Sequence, residues 1–223
     1  MRQLGLCRLS RNSTCPLWLT LFLAIASTGN ARTQPSDRVK PGLRINVRVY
    51  TYADVSHRTL VQAEEESSRI FRAAGVELAW LDCPTSHAEE EKYPACEPPL
   101  GSMAVDLRIL PPSMTARVRS SGEQLGFAMA SAAWVYYQRV ELLAESRVAS
   151  RDEILGHAIA HEIGHLLLGP DSHSPSGIMR ANWDQKYLEE ASRGQLHFTP
   201  DQARLICADV QERSAISEAS VTR

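Results

Sequence analysis

Alternation of apolar and polar residues predicts three β-strands in the first half of the chain. Residues 43–49, 76–83 and 105–109 each place apolar side chains at every second position, which is typical of a strand with one buried face. Two short extended pieces are predicted within residues 125–140. The second of them is Ala133–Tyr137, whose aromatic and β-branched residues favour strand.

Apolar residues at helical spacing predict helices between and after these strands. Residues 56–74 place apolar side chains on one face and charges elsewhere, and Gly75 ends this helix. A C-terminal helix is predicted from Thr199, with Pro200 at its first helical position. Strands and helices in this mixture indicate an α+β domain.

The helix predicted between these two has the clearest boundaries in the sequence. Ser150 and Glu153 form a capping box at its start, and an apolar stripe follows. Gly169 comes directly after the last leucine, and Pro170 prevents the helix from continuing. We therefore expect the helix to end there and the chain to turn back along it.

Composition and charge are those of an ordinary globular chain with one domain. The 223 residues are 43% hydrophobic and 22% charged, with a net charge of −2. No basic cluster indicates nucleic acid, so no such partner is expected. We expect one folded domain over residues 43–213, with a short linker at 32–42 and a flexible tail at 214–223.

Residues 1–31 are typical of a secretory signal peptide. Arginines precede an apolar stretch, Leu17–Ala26, which small residues follow. A helix that spans a bilayer needs about 20 apolar residues, and this stretch is shorter. We therefore expect a cleaved signal, with an uncleaved anchor as the alternative. After cleavage we expect no stable membrane insertion and a secreted or periplasmic protein.

Export changes the interpretation of the cysteines, because disulfides form in oxidising compartments. Cys83 and Cys96 flank a polar segment that contains proline, as an exposed loop would. We expect a disulfide between them, with two free thiols as the alternative. Cys207 would then remain unpaired on the apolar side of the C-terminal helix.

The sequence His161-Glu162-Ile-Gly-His165 lies near the C-terminal end of the capped helix. Residues four apart share one face of a helix, so both imidazoles can reach one metal ion, with Glu162 beside it. This pattern is typical of a zinc site with a general base. Because the helix ends soon afterwards, a third ligand has to come from the returning loop, which offers Asp171 and His173.

Residues 161–179 resemble the signature of the metzincin clan of zinc metallopeptidases, H-E-x-x-H-x-x-G-x-x-H followed by a turn that contains methionine. His161, Glu162 and His165 match it, but the glycine comes one residue late, which gives HExxHxxxGxxxH. The resemblance implies a zincin-like catalytic domain, in which a mixed twisted sheet packs on the active-site helix and a C-terminal helix follows. It also implies that Gly-Ile-Met179 is the Met-turn, beneath the metal.

The late glycine leaves two candidates for the third zinc ligand. The strict family spacing points to Asp171, whereas the context His-Ser-x-x-Gly-Ile-Met points to His173. We favour His173, because a longer helix displaces the next ligand downstream and a third imidazole suits zinc. Asp171 remains the alternative, since a small metzincin group uses aspartate here. His157, one turn before His161, is expected to pack rather than bind.

The resemblance implies an exported zinc endopeptidase that acts on peptides or proteins, and we expect a monomer. Glu162 would be the general base for a zinc-activated water and would not bind the metal. The family binds extended peptides along an edge strand. By its position in the sequence, Leu125–Ser131 is expected to be that strand. The main alternative is a non-catalytic zinc- or peptide-binding domain, although a structural site needs no such carboxylate. A metalloprotease inside the cell is a further alternative, which the export signal opposes.

Overall fold

A computed structural model describes residues 42–86, 92–97, 101–115 and 124–221 of the chain. Contacts divide the chain into two units, Met1–Val39 and Lys40–Arg223, and all described residues belong to the second. The predicted signal peptide lies outside the described residues. Within them, no helix has both the length and the apolar character that crossing a membrane requires.

Five strands form one mixed sheet. They are β1 (Leu43–Thr51), β2 (Val76–Cys83), β3 (Ala104–Leu110), β4 (Gly126–Met129) and β5 (Ala132–Tyr136). The order across the sheet is β2-β1-β3-β5-β4, with β4 at one edge and antiparallel to β5, while the other neighbours are parallel. Every predicted strand is present, and the second has the predicted bounds.

Six α-helices connect and cover these strands in the described part of the chain. They are α1 (His57–Ala73), α2 (Pro112–Thr115), α3 (Tyr137–Ala144), α4 (Arg151–Leu168), α5 (Gln185–Ser192) and α6 (Pro200–Val221). The structure corrects the expectation that the second extended piece includes Tyr137, because β5 ends at Tyr136 and α3 begins at Tyr137. Tyr137 and Val140 are both buried, and a spacing of three puts them on one face of α3. Helix α6 also continues past residue 213 to Val221.

One face of the sheet packs on α4, which runs through the core. Twelve of its residues are buried, so its apolar character extends around most of the helix. Helix α1 approaches it closely at Gly156, where a Cβ atom would lie 2.8 Å from the Ala63 carbonyl oxygen. Ser67 of α1 donates a 2.8 Å hydrogen bond to the Gly156 carbonyl there. The predicted fold class, α+β with a mixed sheet packed on the capped helix, is confirmed.

The other face of the sheet carries a row of side chains in register across four strands. Tyr50, Arg108, Trp134 and Phe127 are successive neighbours on β1, β3, β5 and β4. The Arg108 guanidinium lies 5.7 Å from both the Tyr50 and the Trp134 ring centres. Trp134 stacks on Phe127 with ring centres 4.4 Å apart. Aromatic and cationic contacts thus link the centre of the sheet to its edge strand.

A disulfide bond joins Cys83, at the end of β2, to Cys96, as the sequence predicts. The backbone beside it is tied to β1, because Arg48 donates hydrogen bonds to the carbonyl oxygens of Cys96 and Glu97 at 3.1 and 2.9 Å. The same guanidinium forms a buried ion pair of 2.8 Å with Asp106 of β3. The disulfide therefore belongs to a polar cluster on the face of the sheet opposite α4.

Candidate metal centre

Helix α4 begins and ends where the sequence predicts, and this fixes the position of its histidines. At the start, Ser150 accepts from the Glu153 amide at 3.3 Å, and the Glu153 carboxylate accepts from the Ser150 amide at 2.7 Å. At the end, Gly169 adopts a φ of 95°, which favours glycine. The last two turns of the helix carry His161, Glu162 and His165.

Three imidazoles converge on one point at the end of α4. The Nε2 atoms of His161 and His165 are 3.1 Å apart, and those of His165 and His173 are also 3.1 Å apart. The returning loop therefore brings His173 to the pair on the helix, while Asp171 is exposed and outside this cluster. Within the described residues, no other group of three histidines, cysteines or carboxylates converges in this way.

The hydrogen bond at Nδ1 of His161 determines which ring nitrogen is free. Nδ1 lies 2.9 Å from the Ile178 carbonyl oxygen, which can only accept a hydrogen bond. Nδ1 therefore carries the ring hydrogen and is the donor. The Tyr187 hydroxyl donates to the same oxygen at 3.2 Å and helps to hold it in place. The Nε2 lone pair of His161 therefore points into the cluster.

Ser172 assigns the tautomer of His165 in the same way. Its hydroxyl has one hydrogen, which it donates to the Gly169 carbonyl oxygen at 2.7 Å. The Ser172 hydroxyl oxygen itself lies 3.0 Å from Nδ1 of His165, so Nδ1 is the donor in that contact. The Nε2 atom of His165 is then also an unprotonated donor atom for a metal.

This arrangement fits a metal ion better than it fits an empty cluster of imidazoles. Two Nε2 lone pairs that face each other at 3.1 Å repel, because no proton lies between them. A tetrahedral zinc ion with Zn–N bonds of about 2.05 Å separates its nitrogen ligands by roughly 3.3 Å. Burial lowers the pKa of His161 to about 4 and also lowers the pKa of His165, so both rings stay neutral, as metal ligands must.

Glu162 faces the same cleft but does not belong to the cluster. Its side chain is buried, and burial raises its pKa to about 8. The edge strand passes directly over it at Gly126, where a Cβ atom would lie 2.9 Å from the Glu162 Oε1 atom. The same Cβ atom would collide first with the Trp134 carbonyl oxygen of β5, so only glycine fits between the neighbouring strand and the carboxylate.

Hydrogen bonds to two parts of the chain shape the loop between His173 and Met179. The Ser174 amide donates to the Met179 carbonyl oxygen at 2.9 Å, and the Ile178 amide donates to the His197 carbonyl oxygen at 2.9 Å. Met179 is fully buried beneath the helix. A Cβ atom on Gly164 would lie 2.7 Å from its sulfur, so the thioether packs directly on the turn that carries His165.

The start of α6 anchors this loop through Gln202. Its side-chain oxygen accepts from the Thr199 amide at 3.1 Å, and the Thr199 hydroxyl accepts from the Gln202 amide at 3.3 Å, which together cap the helix. The Nε2 atom of the Gln202 side chain donates to the Ser172 carbonyl oxygen at 3.1 Å. One side chain thus joins the C-terminal helix to the residue beside His173.

The three histidines and Glu162 line a cleft of about 360 Å³. Its opposite wall is the edge strand, with residues 124–128. Trp183, which follows the loop, closes one end with its ring centre 6.1 Å from that of His161, and it stacks on Tyr187 at 4.3 Å. The cleft is therefore bordered on one side by a strand and on the other by the histidines.

His157 lies outside this site, as the sequence predicts. Its Nδ1 atom contacts the Glu153 carbonyl oxygen at 2.7 Å, and its Nε2 atom faces the Glu66 carboxylate of α1 at 3.4 Å. Burial lowers its pKa, and the ring is fully enclosed. His157 therefore packs between the two central helices.

Three residues that hold the histidines and their loop in place were not predicted in this role: Ser172, Tyr187 and Gln202. Tyr187 lies on α5, and one signal for that helix was available, because Asp184 caps it by accepting from the Tyr187 amide at 2.8 Å. The roles of Ser172 and Gln202 depend on contacts between distant segments. No local pattern announces such contacts.

No protein-family profile matches the sequence, and no curated protein is similar to it. Among solved structures, the chain is similar to archaemetzincin from Methanopyrus kandleri, with 13% identity and a TM-score of 0.46 over 78% of this chain and 99% of that one. It is also similar to metalloproteinase-II from Bacteroides fragilis, with 14% identity and a TM-score of 0.45 over 79% of this chain and 55% of that one. What the cleft can do chemically is therefore inferred from the geometry of its own residues.

Proposed function

We propose that this protein is an exported zinc endopeptidase of the metzincin type. The observation that carries the proposal is the convergence of three imidazoles beside a buried glutamate in a cleft, with the Nε2 atom of His165 3.1 Å from that of each of the other two. Carbonyl and hydroxyl oxygens accept from the Nδ1 atoms of both histidines on α4, so the Nε2 lone pairs of these two rings face the cluster. Three imidazoles are a donor set that suits zinc.

His161, His165 and His173 would hold the zinc ion in this proposal, and Met179 would support them from below as the Met-turn. His173 is preferred to Asp171 because its Nε2 atom lies with the other two. A bound zinc ion would supply Lewis acidity, which polarises a carbonyl group and makes a water a better nucleophile near neutral pH.

Glu162 would move the proton in this reaction. Its raised pKa of about 8 means that the carboxylate holds a proton firmly once it has taken one from water. The same group can then deliver that proton to the amine that leaves. A nearby dication favours the ionised form, so Glu162 would start the cycle as a base.

The peptide substrate would lie along β4. This strand pairs with β5 on one side and stands at the edge of the sheet among the described strands. An extended peptide can add to such an edge through main-chain hydrogen bonds, which bind many sequences alike. Residues 125–128 line the cleft opposite the histidines, so a peptide paired there would pass over Glu162.

Export is the part of the proposal that depends on residues 1–31. The disulfide between Cys83 and Cys96 supports it, because such bonds persist mainly in oxidising compartments. The mature protein would be a monomer whose catalytic domain begins near residue 43. Its partners would be peptides or proteins outside the cytoplasm.

Bound metal and cleavage of a mixed peptide library, measured on four proteins, test the proposal. Wild type should bind one zinc ion and cleave, Glu162→Gln should bind zinc without cleaving, and His173→Ala should lose both. Asp171→Ala is the matched control in the same loop and should retain both. Wild type that binds zinc but cleaves nothing would support the non-catalytic alternative, and cleavage by Glu162→Gln would exclude the mechanism.

A further inference from the structure

A second cavity, of about 480 Å³, adjoins the metal cleft. Leu125 and Trp183 are among the residues that line both cavities, so the second lies directly beside the first. Its far wall is α3, the helix that the sequence did not predict. Leu142 and Leu143 of α3 give that wall an apolar surface, and Leu142 is 47% exposed. A peptide in the cleft could place a side chain or its end in this cavity.

Two charged residues line the cavity, and only one of them is compensated. The Asp184 carboxylate accepts from the Arg180 guanidinium at 2.9 Å and from the Tyr187 amide at 2.8 Å. Arg139 is half-buried on α3, and no carboxylate of the described residues lies within ion-pair distance of it. Among the described residues, the cavity therefore offers one positive charge without an ion-pair partner.

The position of Arg139 directs that charge to whatever occupies the cavity. Residues three and four apart share one face of a helix, so Arg139 lies on the same side of α3 as Leu142 and Leu143. Apolar walls strengthen the attraction between charges, because they exclude water from around the pair. The planar guanidinium also matches the two oxygens of a carboxylate.

We propose that Arg139 is a specificity residue that binds a carboxylate of the peptide substrate in this second cavity. The inference rests on the proposed peptidase function and names a substrate class for it. Acidic side chains and a free peptide C-terminus both carry the required group. In either case, the methylene groups next to the carboxylate would pack on the leucine wall.

Matched peptides can test this with wild type, Arg139→Gln, Arg139→Glu and the control Arg72→Gln, which changes an exposed arginine of α1. One set carries blocked termini and a glutamate, a glutamine or a lysine, moved in turn through the positions around the scissile bond. A second set compares a free with an amidated C-terminus. The wild type should prefer the carboxylate in one set by roughly tenfold in kcat/KM, typical of a hydrogen bond to a charged group near the surface.

The preference should vanish in Arg139→Gln, persist in Arg72→Gln and turn towards lysine in Arg139→Glu. Cleavage of the neutral peptides should be similar in all four proteins, which separates specificity from catalysis. The inference fails when wild type cleaves but shows no carboxylate preference, or when the preference survives in Arg139→Gln. Absence of any cleavage by wild type would instead overturn the proposed function, and the inference with it.

Discussion

The two sides of the candidate metal centre are built in different ways. On one side, His161 and Glu162 are buried on a helix whose ends are capped and whose length runs through the core. On the other side, His173 is exposed on a loop. Hydrogen bonds to Gln202 of α6 and to the His197 carbonyl oxygen hold this loop in place. Helical periodicity fixes the first side locally, whereas contacts between distant segments fix the second.

This difference implies different stabilities for the two sides. Moving His161 requires displacement of α4 from the core, which amounts to global unfolding. The loop is held by hydrogen bonds that contribute about 1 kcal/mol each, so it can open while the rest stays folded. We therefore expect metal release to begin with His173, and the following experiments compare the two sides.

Loss of a histidine should have the largest effect on either side. Zinc sites are worth about 10–16 kcal/mol in total, so loss of one of three ligands should weaken zinc binding by roughly a thousandfold. His161→Ala should also lower the Tm of the metal-free protein, because the ring is buried against Trp183. His173→Ala should leave that Tm unchanged.

Zinc competition titrations and thermal unfolding with a chelator measure both effects. Asp171→Ala is the control in the loop. Wild-type zinc affinity in His173→Ala, together with its loss in Asp171→Ala, would transfer the ligand role to Asp171.

The pH dependence of stability tests the burial of Glu162 on the helix side. Its pKa is about 8 in the folded protein and 4.5 for an ordinary glutamate, so between these values the folded form holds a proton that the unfolded chain has lost. The stability of the metal-free wild type should therefore fall, relative to Glu162→Gln, as pH rises through this window. The difference should reach about 4 kcal/mol near pH 8.

Urea unfolding of both proteins at several pH values measures this difference. Added zinc should reduce it, because a nearby dication favours the ionised carboxylate. A difference that does not change with pH would mean that Glu162 is well solvated.

Alanine substitutions at two glycines of α4 distinguish the packing of this helix on α1 from its packing on Met179. A Cβ atom at Gly156 would lie 2.8 Å from the Ala63 carbonyl oxygen, and one at Gly164 would lie 2.7 Å from the Met179 sulfur. Overpacking typically costs about 1–3 kcal/mol, so both alanine variants should be less stable than wild type. Gly156→Ala should be the less stable of the two, because backbone cannot move aside as a thioether can.

Only Gly164→Ala should also weaken zinc binding, since its methyl group would displace Met179, which packs on the turn that carries His165. Gly101→Ala is the control, because a Cβ atom there would contact nothing within 4 Å. Equal zinc affinities in both α4 variants would show that Met179 does not position the ligands.

The smallest effect is expected at Gln202, which anchors the loop. Gln202→Glu keeps an oxygen that can cap α6 but loses the amide that donates to Ser172. Residues that orient metal ligands typically contribute 10- to 100-fold to metal affinity, and we expect about tenfold here because the contact is to the loop backbone. Gln211→Leu, an exposed site on the same helix, should bind zinc as wild type does. Unchanged zinc affinity in Gln202→Glu would show that the contact with Ser172 does not position the loop for metal binding.

The helix side was predictable from sequence because its signals are local. Ser150, Glu153 and Gly169 mark the ends of α4, and the structure places both caps there. Helix α3 escaped prediction because Tyr136 caps it without a side-chain hydrogen bond and its first residues favour strand. The loop ligand was left between two candidates, since the contact of Gln202 with Ser172 joins residues thirty positions apart.

The row of Tyr50, Arg108, Trp134 and Phe127 has a consequence for the edge strand. A slip of β4 by one residue would turn its side chains to opposite faces and bring a bulky neighbour to the place of Gly126. That side chain would collide with the Glu162 carboxylate, which a single Cβ atom would already approach to 2.9 Å. The stacking of Phe127 on Trp134 would be lost in such a slip, so these rings favour the alignment that places Gly126 beside Glu162.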